Sequence, residues 1–194
     1  MLFRSDLIAA FESSSGYHLE LVASGDAGEL VNKLVLTKDA PLGDAVFGID
    51  NTFASRALGE GVIDTGVTPT LPEGVDVERY VVADTPALVP IDFGEVCLNT
   101  DVAWFEQHGL AQPSSFEDLT KPEYKDLTVL INPSTSSTGL AFLIATIGHF
   151  GKDAWQQYWK DLVANGAKID EGWSDAYYKL QRSEERRVGK ECRS

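Results

Sequence analysis

A run of hydroxyl side chains is the part of this sequence best suited to hold a polar ligand. Residues 132–139 read NPSTSSTG, between an apolar stretch predicted to be a strand and another predicted to be a helix. A helix N-terminus carries unpaired N–H donors and the positive end of the helix dipole, and Ser136, Ser137 and Thr138 add hydroxyls there. Five hydroxyl residues in succession indicate an anion or polar-ligand site, with ordinary N-capping as the alternative.

A carboxylate and an amide follow the predicted strand at residues 45–49, in the string GIDN. Ligands of open α/β sheets gather at the carboxyl ends of the strands, so Asp50 and Asn51 are candidate ligand residues. Asp50 would pair with a cationic group of a ligand. The alternative, which these residues alone favour, is that Asp50 caps the helix that begins near Thr52.

Two further strings contain aromatic side chains. In GWSDAYY, residues 172–178, Trp173 would stack on a flat ligand, and its ring face would attract a cationic heterocycle; packing in the core is the alternative. In PIDFG, residues 90–94, Asp92 and Phe93 lie on a predicted crossover strand, as hinge residues or, more simply, as packing residues.

Catalytic chemistry has little support in the sequence. His18, His108 and His149 are isolated from one another, so neither a metal site nor a catalytic triad is indicated. Cys97 lies in EVCLN, where the alternation predicts a buried strand residue rather than a reactive thiol. We therefore predict a chain that is not an enzyme, with no catalytic residue, no metal and no cofactor.

The spacing of apolar residues predicts the elements that position these groups. Helices are predicted over residues 6–13, 27–37, 52–59, 101–108, 140–150 and 153–165, with a short helical turn capped by Ser115. Strands are predicted over residues 17–23, 45–49, 88–98, 127–131 and 167–170. This alternation predicts an α/β fold, with helices on the faces of a sheet.

Composition excludes two classes of partner. The chain has 194 residues, 43% of them hydrophobic, and a net charge of -14. Such an acidic chain is not expected to bind nucleic acid or an anionic membrane surface. No apolar run reaches the roughly 18 residues that a membrane span requires, so no direct membrane span is predicted.

Both ends of the sequence look foreign to the rest. From Arg182 the chain reads RSEERRVGKECRS, and it begins MLFRS; the two strings resemble translations of the opposite ends of a common short-read sequencing adapter. We therefore expect residues 1–5 and 182–194 to be adapter-like artefacts, and the chain to be a fragment open at both ends. A signal peptide would then have been lost with the truncated N-terminus.

The four strings occur together and in order in the family of thiamine-binding periplasmic proteins, which this chain resembles over nearly all of residues 6–178. The segment SGDAGELVNKLVLTKDAPLGDAVFGIDNTF resembles the first lobe of that family, and LVPIDFGEVCLNTDVAWF its crossover strand. NPSTSSTGLAFL and DEGWSDAY resemble its second-lobe ligand loop and tryptophan segment.

The resemblance implies a two-lobed periplasmic-binding-protein-like (type 2) α/β fold, incomplete in this chain. Residues 6–92 would be a partial first lobe, and residues 93–181 the crossover and a partial second lobe.

The resemblance also implies roles for the candidate residues. Asp50 and Asn51 would face the aminopyrimidine or thiazolium region of thiamine. The hydroxyls at 136–138 would hold its hydroxyethyl or phosphate end, and Trp173 would line the pocket. Ser134 stands where the family is expected to have a basic residue, which leaves recognition of a phosphorylated form open.

The implied function is capture of thiamine, or its phosphates, by a periplasmic or extracytoplasmic monomer that serves an ABC transporter permease. A binder of the same architecture for ferric ion, a polyamine or an oxyanion is the alternative, and an enzyme on this scaffold is a third. A fragment of this fold would have incomplete sheets, exposed apolar surface and poor affinity for its ligand.

Overall fold

The computed structural model describes residues 5–82 and 85–182. Most of the two adapter-like segments, residues 1–4 and 183–194, lie outside the described residues.

Six α-helices lie within the described residues: α1 (Ser5–Ser15), α2 (Ala27–Leu36), α3 (Ala54–Gly59), α4 (Val102–Gln107), α5 (Ser137–Ala164) and α6 (Trp173–Arg182). Short 3-10 turns lie at Glu78–Tyr80, Glu117–Thr120 and Pro122–Tyr124. The predicted helices are confirmed, including the two predicted over residues 140–150 and 153–165. These two form α5, which is interrupted at Gly151, where φ is 74°.

A parallel pair of strands holds the second half of the chain together. β1 (Val129–Ile131) pairs with β2 (Lys168–Asp170), with Leu130 opposite Ile169. The ladder continues beyond both strands, because the N–H of Lys168 donates to Thr128 O at 3.0 Å and that of Asn132 to Asp170 O at 2.7 Å. The two predicted strands are thus confirmed, and β1, α5 and β2 form a β–α–β unit.

Three other predicted strands are wrong. Residues 17–23, 45–49 and 88–98 have no regular secondary structure. An extended segment becomes a strand only when a neighbouring strand exchanges N–H and C=O bonds with it, and the described residues provide no such neighbour. Alternating hydrophobicity shows that a segment is suited to a half-buried sheet surface, but it does not supply the partner.

Two hydrophobic clusters form the interior. In the α2–α3 cluster, Val31, Phe53 and Ala57 are buried, and Leu140 of α5 packs against them. The α5–β1 cluster contains these buried residues: Leu119, Leu130, Tyr158 and Leu162. The first cluster is built mainly by the first half of the chain and the second by the second half, while the predicted lobe boundary at residues 92–93 stays a prediction.

Tyr158 links α5 to the loop before β1. Its hydroxyl donates to Phe116 O at 2.9 Å, and its ring stacks on that of Phe150 with centroids 4.3 Å apart. Burial, with a further contribution from the charge of Glu117, raises the pKa of the Tyr158 hydroxyl. The hydroxyl therefore stays protonated and serves as a donor.

Much apolar surface is accessible to solvent. Exposed side chains include Phe93, at 75%, and Leu36, at 86%. Among the helices of the described residues, none is long and apolar enough to cross a membrane. The predicted exposure of apolar surface is confirmed for the described residues, in segments that had been expected to form strands, as at Phe93, and also in helices, as at Leu36.

Gly139 lets the start of α5 lie directly against the end of β1. A Cβ at this position would lie 2.2 Å from Ile131 O and 2.8 Å from the carbonyl carbon of Asn132. We expect Gly139→Ala to lower the free energy of unfolding by about 1–3 kcal/mol, because backbone must move to admit the methyl group. Urea unfolding followed by circular dichroism measures the change.

Gly148 provides the matched control in the same helix. It is exposed, and a Cβ there would meet nothing within 4 Å. Gly148→Ala should raise stability by about 0.5–1 kcal/mol through helix propensity. If both substitutions stabilised the protein, the close contact between α5 and β1 would be wrong.

Candidate functional site

Three helices begin at one place in the fold. The N–H of Glu29, in the first turn of α2, donates to Thr135 O at 3.1 Å. The N–H of Trp173, the first residue of α6, donates to Asp26 Oδ2 at 2.9 Å. Since residues 132–136 lead directly into α5, the N-termini of α2, α5 and α6 meet around this loop. The positive ends of their dipoles therefore point towards a common region.

Asn132 shapes the loop that carries the predicted hydroxyls. Its Oδ1 accepts from the N–H of Ser134 at 2.9 Å and from Ser134 Oγ at 2.8 Å. Its Nδ2 donates to Glu171 Oε2 at 2.9 Å. Thr135 Oγ1 adds a bond to Glu171 O at 2.5 Å. The hydroxyl loop is thus fastened to the connection between β2 and α6.

The three predicted hydroxyls differ in their accessibility. Ser136 is 1% exposed, and its Oγ lies 3.0 Å from Thr138 Oγ1. Ser136 is the N-cap residue of α5, but its side chain makes no capping bond, so capping does not account for it. Ser137 and Thr138 are partly exposed.

Gly28 brings the α2–α3 cluster against the hydroxyl loop. A Cβ at Gly28 would lie 2.6 Å from Phe53 Cζ, 2.7 Å from Thr135 C and 2.8 Å from Ser134 O. Phe53 follows Asp50 by three residues, so the contact also brings the GIDN string near the loop. Two strings from distant parts of the sequence therefore meet at one glycine.

Asp50 closes the turn before α3 and is not the N-cap of that helix, whose N-cap residue is Phe53. Its Oδ1 accepts from the N–H of Thr52 at 3.1 Å, from Thr52 Oγ1 at 2.7 Å and from the N–H of Phe53 at 3.2 Å. These bonds close the turn that leads into α3. Asp50 is half-buried, and Asn51 is exposed.

Trp173 is not a core residue. Its side chain is 48% exposed, and its ring stacks on Tyr177 with centroids 4.7 Å apart and an interplanar angle of 12°. Tyr178 meets Tyr177 edge to face at 5.6 Å. The result is an aromatic surface at the start of α6, next to the loop that Glu171 holds.

Sequence analysis missed the residues that join these parts: Asp26, Gly28, Glu29, Thr135 and Glu171. An aspartate before an apolar helical pattern is a signal for an N-cap, but nothing in that pattern shows that Asp26 serves another helix. In the PIDFG string, Phe93 stacks on Tyr80 with ring centroids 5.0 Å apart. Within residues 5–82 and 85–182, no group of three His, Cys, Asp or Glu side chains could hold a metal ion.

Most of the chain is similar in sequence to known proteins. Residues 44–189 match the family model of bacterial extracellular solute-binding protein. The thiamine-binding periplasmic protein of Salmonella typhimurium is 30% identical over 169 residues, which are 87% of this chain and 49% of that protein. The protein of the same name from Escherichia coli is 29% identical with the same coverage. The chain therefore spans about half the length of the curated relatives it matches.

A solved structure has a similar fold over most of this chain. A periplasmic thiamin binding protein matches with a TM-score of 0.73 and 27% identity, over 94% of this chain and 54% of that chain. The match confirms the predicted periplasmic-binding-protein-like (type 2) fold.

The contact at Gly28 can be tested by adding one methyl group. Gly28→Ala should lower the free energy of unfolding by about 1–3 kcal/mol, because the methyl group would press on the backbone of the hydroxyl loop and on the ring of Phe53. Gly59→Ala, at the end of α3, is the matched control, since a Cβ there meets nothing within 4 Å. Urea unfolding compares the two; similar effects would contradict the close packing of α2 on the loop.

Proposed function

Because the chain belongs to the family of bacterial extracellular solute-binding proteins, we propose that it captures thiamine outside the cytoplasm for an ABC importer. The names of its relatives in Salmonella typhimurium, Escherichia coli and Haemophilus influenzae support thiamine as the ligand. The observation that carries the proposal is the half-exposed ring of Trp173, attached to the hydroxyl loop through neighbouring Glu171.

The chemistry of thiamine suits such a surface. Its thiazolium ring is permanently cationic and flat, so an exposed tryptophan face attracts it both by stacking and by the cation–π interaction. Its hydroxyethyl end is a hydrogen-bonding group, for which partly exposed hydroxyls and unpaired N–H groups at the start of α5 are suitable partners.

We assign the roles of the hydroxyls according to their exposure. Ser137 and Thr138 are partly exposed and would contact the ligand. Ser136 is buried beneath Thr138 and would hold that hydroxyl in place. Asp50 and Asn51 would face the aminopyrimidine or thiazolium region, with Oδ1 of Asp50 already engaged in closing the turn before α3.

The alternatives have less support. Ferric binders require converging tyrosines, and the neighbouring Tyr177 packs against Trp173 and Tyr178 instead. A binder without catalytic activity agrees with a family of solute-binding proteins. An ABC transporter permease would be the partner, and we expect the binder to be monomeric.

Titration of the full-length parent protein with thiamine, followed by tryptophan fluorescence, tests the ligand and the site together, because we expect the fragment itself to bind poorly. Trp173→Ala should weaken binding by about tenfold or more, equivalent to about 1.4 kcal/mol, because it removes the stacking surface. Trp104→Ala is the matched control, since Trp104 of α4 stacks on His108, the residue after that helix, and has no part in the site. The absence of saturable quenching up to about 1 mM thiamine would contradict the ligand, and equal affinities of the two variants would contradict the site.

A phosphorylated ligand should bind less tightly than thiamine. The Glu171 carboxylate accepts from Asn132 Nδ2 at the edge of the hydroxyl loop, and Ser134 supplies no positive charge there. A phosphate at this edge would meet a like charge, which costs about 1 kcal/mol when partly screened.

Glu171→Gln isolates that charge. Glutamine keeps an oxygen that can accept from Asn132 and removes the negative charge. We expect the preference for thiamine over thiamine monophosphate to fall by about fivefold, as measured by titration with each ligand. An unchanged ratio of the two affinities would rule out Glu171 as the source of the preference.

A further inference from the structure

Asp26 occupies the N-cap position of α2 but does not cap that helix with its side chain. Its backbone is extended, with φ -77° and ψ 169°, and its carboxylate makes no bond to the first turn of α2. An N-cap aspartate normally accepts from the second or third N–H of its own helix. Here the third N–H, that of Glu29, donates to Thr135 O at 3.1 Å instead.

The carboxylate of Asp26 is engaged at a different helix. Its Oδ2 accepts from the N–H of Trp173 at 2.9 Å, across 147 residues of sequence. The preceding residue, Gly172, lies so close that a Cβ there would be 3.5 Å from the same oxygen. A carboxylate at the first N–H of a helix satisfies an unpaired donor and interacts favourably with the helix dipole.

These two hydrogen bonds, from Glu29 and from Trp173, join helix starts to acceptors in distant segments of the chain. The hydroxyl loop supplies a carbonyl to α2, and the residue before α2 supplies a carboxylate to α6. Trp173 is the first residue of α6, so its backbone direction sets where its ring projects. A bond at its own N–H therefore controls the placement of the ring more directly than a contact elsewhere on α6.

We propose that Asp26 is a positioning residue, which fixes the start of α6 and so holds the Trp173 ring beside the hydroxyl loop for ligand binding. The ligand role rests on the proposed function; the positioning of Trp173 does not. Hydrogen bonds to charged groups contribute more than those between neutral groups, so the loss of this acceptor should have a measurable local effect.

Hydrogen exchange of the Trp173 amide, measured by NMR on the full chain, tests the positioning without any ligand. Asp26→Ala should accelerate exchange at this amide by about tenfold or more. The amide of Ala176, which donates at 3.2 Å to the carbonyl oxygen of Gly172 just before α6, reports on fraying of the first turn of α6 and should change less. Asp26→Asn keeps an acceptor oxygen at the same position, and its exchange rate should stay within about threefold of the wild type.

Thiamine titration of the same proteins tests the consequence for binding. Asp26→Ala should weaken binding by about tenfold, and Asp26→Asn should largely restore it. Unchanged exchange at Trp173 in Asp26→Ala would overturn the positioning contact, whatever thiamine does. Faster exchange with unchanged affinity would overturn its role in binding. If the wild type binds no thiamine, the proposed function fails, while the exchange rates still decide whether Asp26 positions Trp173.

Discussion

The first N–H groups of a helix have no acceptor within that helix, and when several helices begin at one place these donors must find acceptors elsewhere. In this chain α2, α5 and α6 meet in that way. The hydroxyl loop provides a carbonyl for Glu29, and Asp26 provides a carboxylate for Trp173. The arrangement ties residues from the first quarter of the chain to its last described helix.

Close approach of the backbones makes this arrangement possible. Gly28 admits the loop and the ring of Phe53 to α2, and Gly139 admits β1 to the start of α5. Side chains at either position would separate the elements by the width of a methyl group. The loop itself is then held by Asn132 and Thr135, which bond to Glu171. Rigid support of this kind lowers the cost of ordering the loop when it makes a contact.

Helices α1 to α5 and the two strands of the β–α–β unit could be predicted from the sequence, because their signals are local, whereas α6 was not predicted. Apolar spacing marked α2 and α5, and the glycine at 151 separates the two halves of α5. A local role for Asp50 was also accessible, since its acceptor bonds reach only three residues along the chain, although they close the turn before α3 rather than cap the helix. The strand predictions over residues 17–23, 45–49 and 88–98 failed, because pairing depends on a neighbour that the segment itself does not encode.

Long-range capping could not be predicted for a related reason. The pattern around Asp26 is that of any N-cap, and the donor it serves lies 147 residues away. The exposure of Trp173 was equally hidden, because tryptophan next to a helix start is as compatible with a core as with a ligand surface.

The surroundings of Trp173 combine two opposite electrostatic tendencies. Helix N-termini favour negative charge, whereas the carboxylates of Asp26 and Glu171 lie at the same junction and are bonded to N–H donors there. These bonds offset part of the positive potential that the helices would otherwise present to an anion. What remains is a surface with an aromatic face, partly exposed hydroxyls and little net preference for an anion. Under the proposed function, such a surface would suit a ligand that joins a flat cationic ring to a neutral polar tail, because each half would meet a group of matching chemistry.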